Sequence, residues 1–253
     1  MTARSPPAPA LTSATAAMST ADINVEVARL RAALMRENPA AIPASITSEQ
    51  AWATRTRAAL ETSGIAIDKP QLVVVVDRNP LVQQLAILVA SPDGVSALIG
   101  SSMVSTGQSG RRGYFQSPTG VFPHTDAILD YRADGTFNAN HIRGLGARGM
   151  RVWDFGWQQA PKGWLIDGEK GEMRLLLHAT DPDVLERRLG RPASMGCVRV
   201  SAAMNRFLDR HGVLDADYEK AAAEDRAYAA VLRSDRAPSP LAGRTLVIID
   251  SSK

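Results

Sequence analysis

The stretch RPASMGCVRVS, residues 191–201, carries the single cysteine of the 253-residue chain, Cys197. A lone thiol closes no internal disulfide, and one cysteine with four histidines leaves no spacing for a structural zinc site. Free cysteines are usually small buried hydrophobes, but the neighbours of Cys197 point to chemistry. Gly196 permits a backbone angle and a close approach that other residues forbid, and Ser194 and Ser201 flank the thiol with hydroxyls where a core cysteine would sit in an apolar run. Nineteen residues upstream, the apolar run LLLHAT ends in His178. Cysteine and histidine are the pair that thiol chemistry needs: the imidazole takes the thiol proton and the sulfur attacks. Alone, His178 would read as a satisfied structural residue at a strand end. The other histidines lack such a partner: His124 follows a proline, His141 sits in an irregular stretch, and His211 falls at a helix C-terminus, where an imidazolium favours the dipole.

The elements that must position this pair follow from periodicity. Residues 1–20, rich in Pro, Ala, Ser and Thr, read as a flexible tail without the apolar middle region of a secretory signal. A helical prefix is expected over 21–66, with one helix over 22–37 capped by Ser19 and Asp22, and a second opened by Thr47 and Gln50 and stopped by Ser63-Gly64. From Gln71 the period changes to short β-branched runs, 72–77, 84–90 and 96–105, separated by Asn-Pro and Pro-Asp-Gly turns. A catalytic body is expected over 70–253. It contains a long irregular loop at 125–172 with Trp153, Trp157 and Trp164, a strand at 172–179, a helical insertion at 201–235 and a last strand at 244–250. The fold class is therefore mainly β with added helices, α+β. GLGARG (144–149) matches a dinucleotide fingerprint, but no strand precedes it and no βαβ unit surrounds it, so it reads as loop.

Composition excludes some functions. The net charge of +3 comes from basic residues scattered among acids without a long run, which argues against nucleic acid as a partner. No stretch approaches the ~20 apolar residues of a membrane span, so no integral membrane segment is expected.

HAT (178–180) followed by SMGCVRV (194–200) resembles the signature of the L,D-transpeptidase catalytic domain family (YkuD type). The segment STG…SPTGVFPH (105–124) is similar to that family's Thr/Ser-Pro-x-Gly-x-Phe stretch, and VVVVDRNPLVQQLAIL to its opening hairpin. The resemblance covers roughly 72–210 and the last strand. It implies a β-sandwich-like body with the N-terminal helices and the helical insertion added, no cofactor and no metal. The activity it implies is a two-step acyl transfer on peptidoglycan stem peptides: Cys197 forms a thioester and releases D-alanine, and an amine of a second stem resolves it. His178 is then the base, and the backbone carbonyl of Ala179 orients its ring in place of an acidic residue. Backbone N–H groups of Met195, Gly196 and Cys197 would hold the oxyanion, each donor typically contributing about 2.7–4 kcal/mol. Ser194 and Arg199 match family positions as loop support. Thr180, Trp153 and Trp157 are candidates for contacting substrate, the tryptophans as part of a lid or, equally, as ordinary packing. Ala179 departs from the family's usual glycine but keeps the carbonyl.

The same resemblance implies a periplasmic or cell-wall-associated location and a carbapenem β-lactam as covalent inhibitor. Three alternatives follow from the same residues: an L,D-carboxypeptidase, a peptidase that cleaves cross-links or attachments through the same Cys–His pair, and a wall-binding module without catalysis.

Overall fold

The computed structural model describes residues 18–252; most of the expected 1–20 tail lies outside them. Ser19 begins an ordered helix, α1 (Thr20–Glu37). Its side chain accepts the Asp22 N–H and the Asp22 carboxylate accepts the Ser19 N–H, the reciprocal cap expected from the sequence. After β1 (Ile42–Pro43) comes α2 (Ile46–Ser63). Its cap is Ser45 paired with Ser48, not Thr47 with Gln50, because Ser45 Oγ already reaches the Ser48 N–H at 3.2 Å and starts the helix earlier. Strands β2 (Gln71–Asp77), β3 (Gln84–Ser91), β4 (Gly94–Met103) and β5 (Gly120–Pro123) follow. Next come β6 (Tyr131–Arg132), β7 (Arg151–Pro161), β8 (Lys170–Ala179) and β9 (Val198–Val200). Helices α3 (Ala202–Arg210), α4 (Ala216–Glu224) and α5 (Arg226–Val231) precede β10 (Thr245–Ile249).

These elements make a mixed α/β protein with two mixed sheets and five helices among the described residues, ordered β1-β4-β3-β2-β10-β5 and β6-β7-β8-β9. Helix and strand are present in similar amounts over the described residues because α1 and α2 precede the body; within 70–253 strand predominates. Strand β2 explains its own composition. Leu72, Val74 and Val76 face one core and Val73 and Val75 another, so the strand reads as an unbroken apolar run. Trp52 and Leu60 of α2 cover the Val73–Val75 face. On the other face Leu30 and Leu34 of α1, Phe207 and Leu208 of α3, and Trp153, Leu175, Leu177 and Val198 of the second sheet share one cluster. The two N-terminal helices read as a prefix thus cover the two faces of the six-stranded sheet.

The expected loop at 125–172 instead contains β6 and the eleven-residue β7. Its alternation is hidden in the sequence because Gly156, at φ +73°, sits in a register shift between Asp154 and Trp157. The expected helical insertion at 201–235 is three helices, the last two divided at Asp225, whose extended backbone ends α4 and whose carboxylate caps α5. GLGARG lies in a loop packed on Ala179, with Gly146 at φ +90° and no room for a side chain there.

A buried charge cluster ties this insertion to the second sheet. The fully buried Arg151 guanidinium pairs with Asp130 (2.8 Å), Asp215 (3.3 Å) and Asp209 (3.7 Å). His124 directs Nδ1 at the Leu214 carbonyl (2.8 Å) and Nε2 at Asp130 (3.0 Å). Both partners accept, so the ring carries both protons; burial opposes that charge, but the hydrogen bond and charge of Asp130 outweigh it and raise the histidine's proton affinity. Tyr218 of α4 stacks on the ring with centroids 4.7 Å apart. Removing Arg151 leaves buried Asp215 without a cation and Asp130 and Asp209 with one partner each, His124 and Arg132. Arg151→Ala should therefore lower unfolding stability by about 3–5 kcal/mol. Urea denaturation checks this, and a loss within about 1 kcal/mol of surface substitutions would contradict it.

Candidate active site

β8 and β9 run parallel with Leu177 opposite Val198 and His178 opposite Arg199. Side chains alternate between the faces of a strand. Leu177 and Val198 therefore enter the shared core while His178 and Arg199 stand together on the opposite face. Cys197 immediately precedes β9; its side chain packs against the edge of the shared core and its sulfur meets the Arg174 carbonyl of β8, the strand that carries His178. His178 is 2% exposed. Its Nδ1 donates to the Ala179 carbonyl at 2.7 Å. Because a carbonyl can only accept, the proton of the neutral ring lies on Nδ1 and the lone pair on Nε2. Burial first, then the charge of Arg199, depress the imidazole to about 4, so at neutral pH the ring is an uncharged base.

The sulfur is partly exposed and its hydrogen-bond partner among the described residues is the backbone carbonyl of Arg174, at 3.6 Å, rather than the imidazole. Burial pushes the thiol above its ordinary range; the Leu176 backbone hydrogen bond and Arg199 oppose this, and Asp154 adds to it. The resting pair is thus thiol and imidazole, not thiolate and imidazolium. The physical reason is that both partners are too desolvated to hold charge.

The loop that presents the sulfur is tightly held. Ser194 Oγ donates to the Cys197 carbonyl (2.6 Å) and accepts the Gly196 N–H (3.1 Å). Ser117 Oγ donates to the Gly196 carbonyl (2.6 Å). Gly196 has φ +134°, and a Cβ there would lie 2.5 Å from Met173 Sδ, so both its conformation and its surroundings require glycine. Since the Gly196 N–H already serves Ser194, the amides of Met195 and Cys197 remain for an oxyanion; neither has a backbone or side-chain acceptor among the described residues. The Met195 side chain is 53% exposed at the mouth of the site. Arg199 braces the loop by donating to the Ala193 carbonyl at 3.2 Å. Thr180 is buried and its N–H pairs with the Val200 carbonyl.

The tryptophans separate. Trp153 is 0% exposed in the core and touches no substrate-accessible surface, which removes it from the candidate contacts. Trp157 is 64% exposed on the face of Arg174, whose guanidinium stands 5.9 Å from the ring centroid. Trp164 packs edge-on against Phe115, with centroids 5.2 Å apart.

Sequence reasoning passed over Arg174 and Asp154. Arg174 Nε pairs with Asp154 (2.7 Å), and the Asp154 N–H bonds Asp130 of the buried cluster (2.9 Å), so a chain of polar contacts runs from that cluster to the residue whose carbonyl meets the sulfur. No signal marks this, because the acid and base lie on different strands. The other histidines stand apart from the thiol; His211 pairs with Glu37, yet burial lowers its proton affinity, so it is not the helix-end cation its position suggests.

Among the described residues no group of three or more His, Cys, Asp or Glu side chains is placed to hold a metal ion, and no helix is long and apolar enough to cross a membrane. No known protein family matches this chain, and no curated protein does.

The neutral resting pair has a measurable consequence. Alkylation of Cys197 by iodoacetamide should be slow at neutral pH and keep rising through and beyond the ordinary thiol range, because the folded state disfavours the thiolate. A rate plateau between about pH 5 and 8, the mark of a preformed thiolate–imidazolium pair, would contradict it.

Proposed function

We propose that the protein is a peptidoglycan L,D-transpeptidase, and that its two sheets with their shared core are an L,D-transpeptidase-like sandwich to which α1, α2 and the 201–235 insertion are added. One observation carries the reading: a neutral imidazole, hydrogen-bonded through Nδ1 to the Ala179 carbonyl, stands on β8, the strand whose Arg174 carbonyl meets the sulfur of the single cysteine. That is the orienting arrangement the family resemblance implies. It leaves Nε2 without a hydrogen bond among the described residues and able to accept a proton.

As the donor stem settles, Cys197 Sγ turns from the Arg174 carbonyl toward the reacting carbonyl, and its proton passes to His178 Nε2. The C–S bond forms and an oxyanion develops against the Met195 and Cys197 amides. The C–N bond then breaks, and the imidazolium returns the proton to the departing D-alanine amine. In the second half the acceptor amine gives a proton to His178, attacks the thioester carbon and expels the thiolate, which recovers the proton. Arg199 beside His178 makes the imidazolium short-lived, which favours prompt return of the proton. A periplasmic or wall-associated location follows from this substrate.

Incubation with stem tetrapeptides should give cross-linked dimers and free D-alanine by mass spectrometry, with both lost in Cys197→Ala. Tripeptide without dimers would replace the transferase with an L,D-carboxypeptidase using the same thioester. Absence of any product or protein adduct would overturn the reading in favour of a binding module.

A further inference from the structure

Beside Arg199 opens a cavity of about 400 Å³ lined by Arg111, Arg188 and Arg199 together with Asn138, Asn140 and Tyr114. It reaches the catalytic loop through Met195 and Thr180, and no acidic residue lines it. Arginines elsewhere in the protein are mostly matched: Arg132, Arg143 and Arg174 all pair with aspartates. Arg111, Arg188 and Arg199 form no ion pair among the described residues. Arg111 lies over the Tyr114 ring, 4.6 Å from its centroid. Arg199 Nε is buried without a hydrogen-bond partner, although such a donor ordinarily has one. Three arginines line one concavity that has no acid in its lining, and an anion there would be stabilised by their charge. A carboxylate suits them best, since its two oxygens match the planar fork of a guanidinium, while two asparagine amides and a tyrosine suit a peptide backbone.

We propose that this cavity binds a carboxylate of the acyl-donor peptide and so selects donors that carry an acidic group near the bond to be cut. The role given to Cys197 rests on the acyl-transfer reading; the anion site does not. A carboxylate on Arg199 is held beside the loop of Met195 and Cys197, since Met195 and Arg199 both line the cavity. Its arrival also answers the positive charge that helps keep the proton off His178, so the base becomes stronger when the correct donor is bound.

The single thiol allows a test without any peptidoglycan substrate. The whole chain is reacted at neutral pH and low salt with dithiobis(nitrobenzoate), a dianionic aryl disulfide, and with its neutral counterpart dithiodipyridine. The ratio of the two rates is compared with that for a small neutral thiol. The site should favour the dianion by about tenfold over the reference thiol, with the preference falling as ionic strength rises. The ratio should drop toward the reference in the double variant Arg111→Gln, Arg188→Gln and be restored in Arg111→Lys, Arg188→Lys. A wild-type ratio equal to the reference, or one unmoved by the glutamine substitutions, would overturn the proposal. If the preference is present and no stem peptide reacts, the anion site stands and the transpeptidase reading falls. If stems react and the preference is absent, the reverse holds.

Discussion

The parallel pairing of β8 with β9 is the constraint on which the site depends. Leu175, Leu177, Val198 and Val200 are all fully buried in the core shared by the two sheets. Each contributes roughly 1.5–3 kcal/mol by leaving water. Sliding either strand by one residue would take these side chains out of the core and turn His178 and Arg199 into it, so the apolar pattern fixes the register. The polar face is a consequence of the apolar one. Ser194, Ser117 and Gly196 then need only hold the short turn before β9 for the sulfur to stand beside β8.

Burial also sets the electrostatics of that face. An imidazole lowered to about 4 and a thiol raised above its usual range hold no ion pair at rest. In the proposed reaction, charge forms only when a substrate carbonyl and its oxyanion donors are in place. A group of opposite sign on Arg199 changes this balance in the direction of proton transfer. On the other side of the sulfur, the chain Asp130–Asp154–Arg174 links the Arg151 cluster to the strand that carries the Arg174 carbonyl. The helical insertion, which supplies Asp209 and Asp215, thus stiffens the strand beneath the nucleophile rather than contributing to its chemistry.

The sequence reveals most where a local rule suffices. The Ser19 cap, the opening hairpin, the His178-bearing strand and the cysteine turn all follow from periods and turn residues within a few positions of each other. The orienting bond from His178 to Ala179 was also legible, through the HAT motif and the resemblance it carries. What stayed hidden depends on contacts between distant segments. The β7 strand is concealed by Gly156 and its register shift, so Trp153 passes for a lid residue when it is core. The engagement of the Gly196 N–H by Ser194 and the neutral state of the Cys–His pair depend on a hydroxyl's direction and on burial, which no spacing encodes. The Arg111–Arg188–Arg199 cavity gathers two exposed arginines and the partly buried Arg199, separated by up to 88 positions, a grouping that exists only in the fold.

The central claim is that His178, uncharged at rest, is the base that allows Cys197 to attack an acyl group. It is tested most directly by the rate at which a carbapenem acylates the protein at neutral pH, followed by intact mass. Wild type should gain one adduct, located on Cys197, and His178→Gln should form it about 10²–10⁴-fold more slowly while remaining folded. An unchanged rate in that variant would contradict the account.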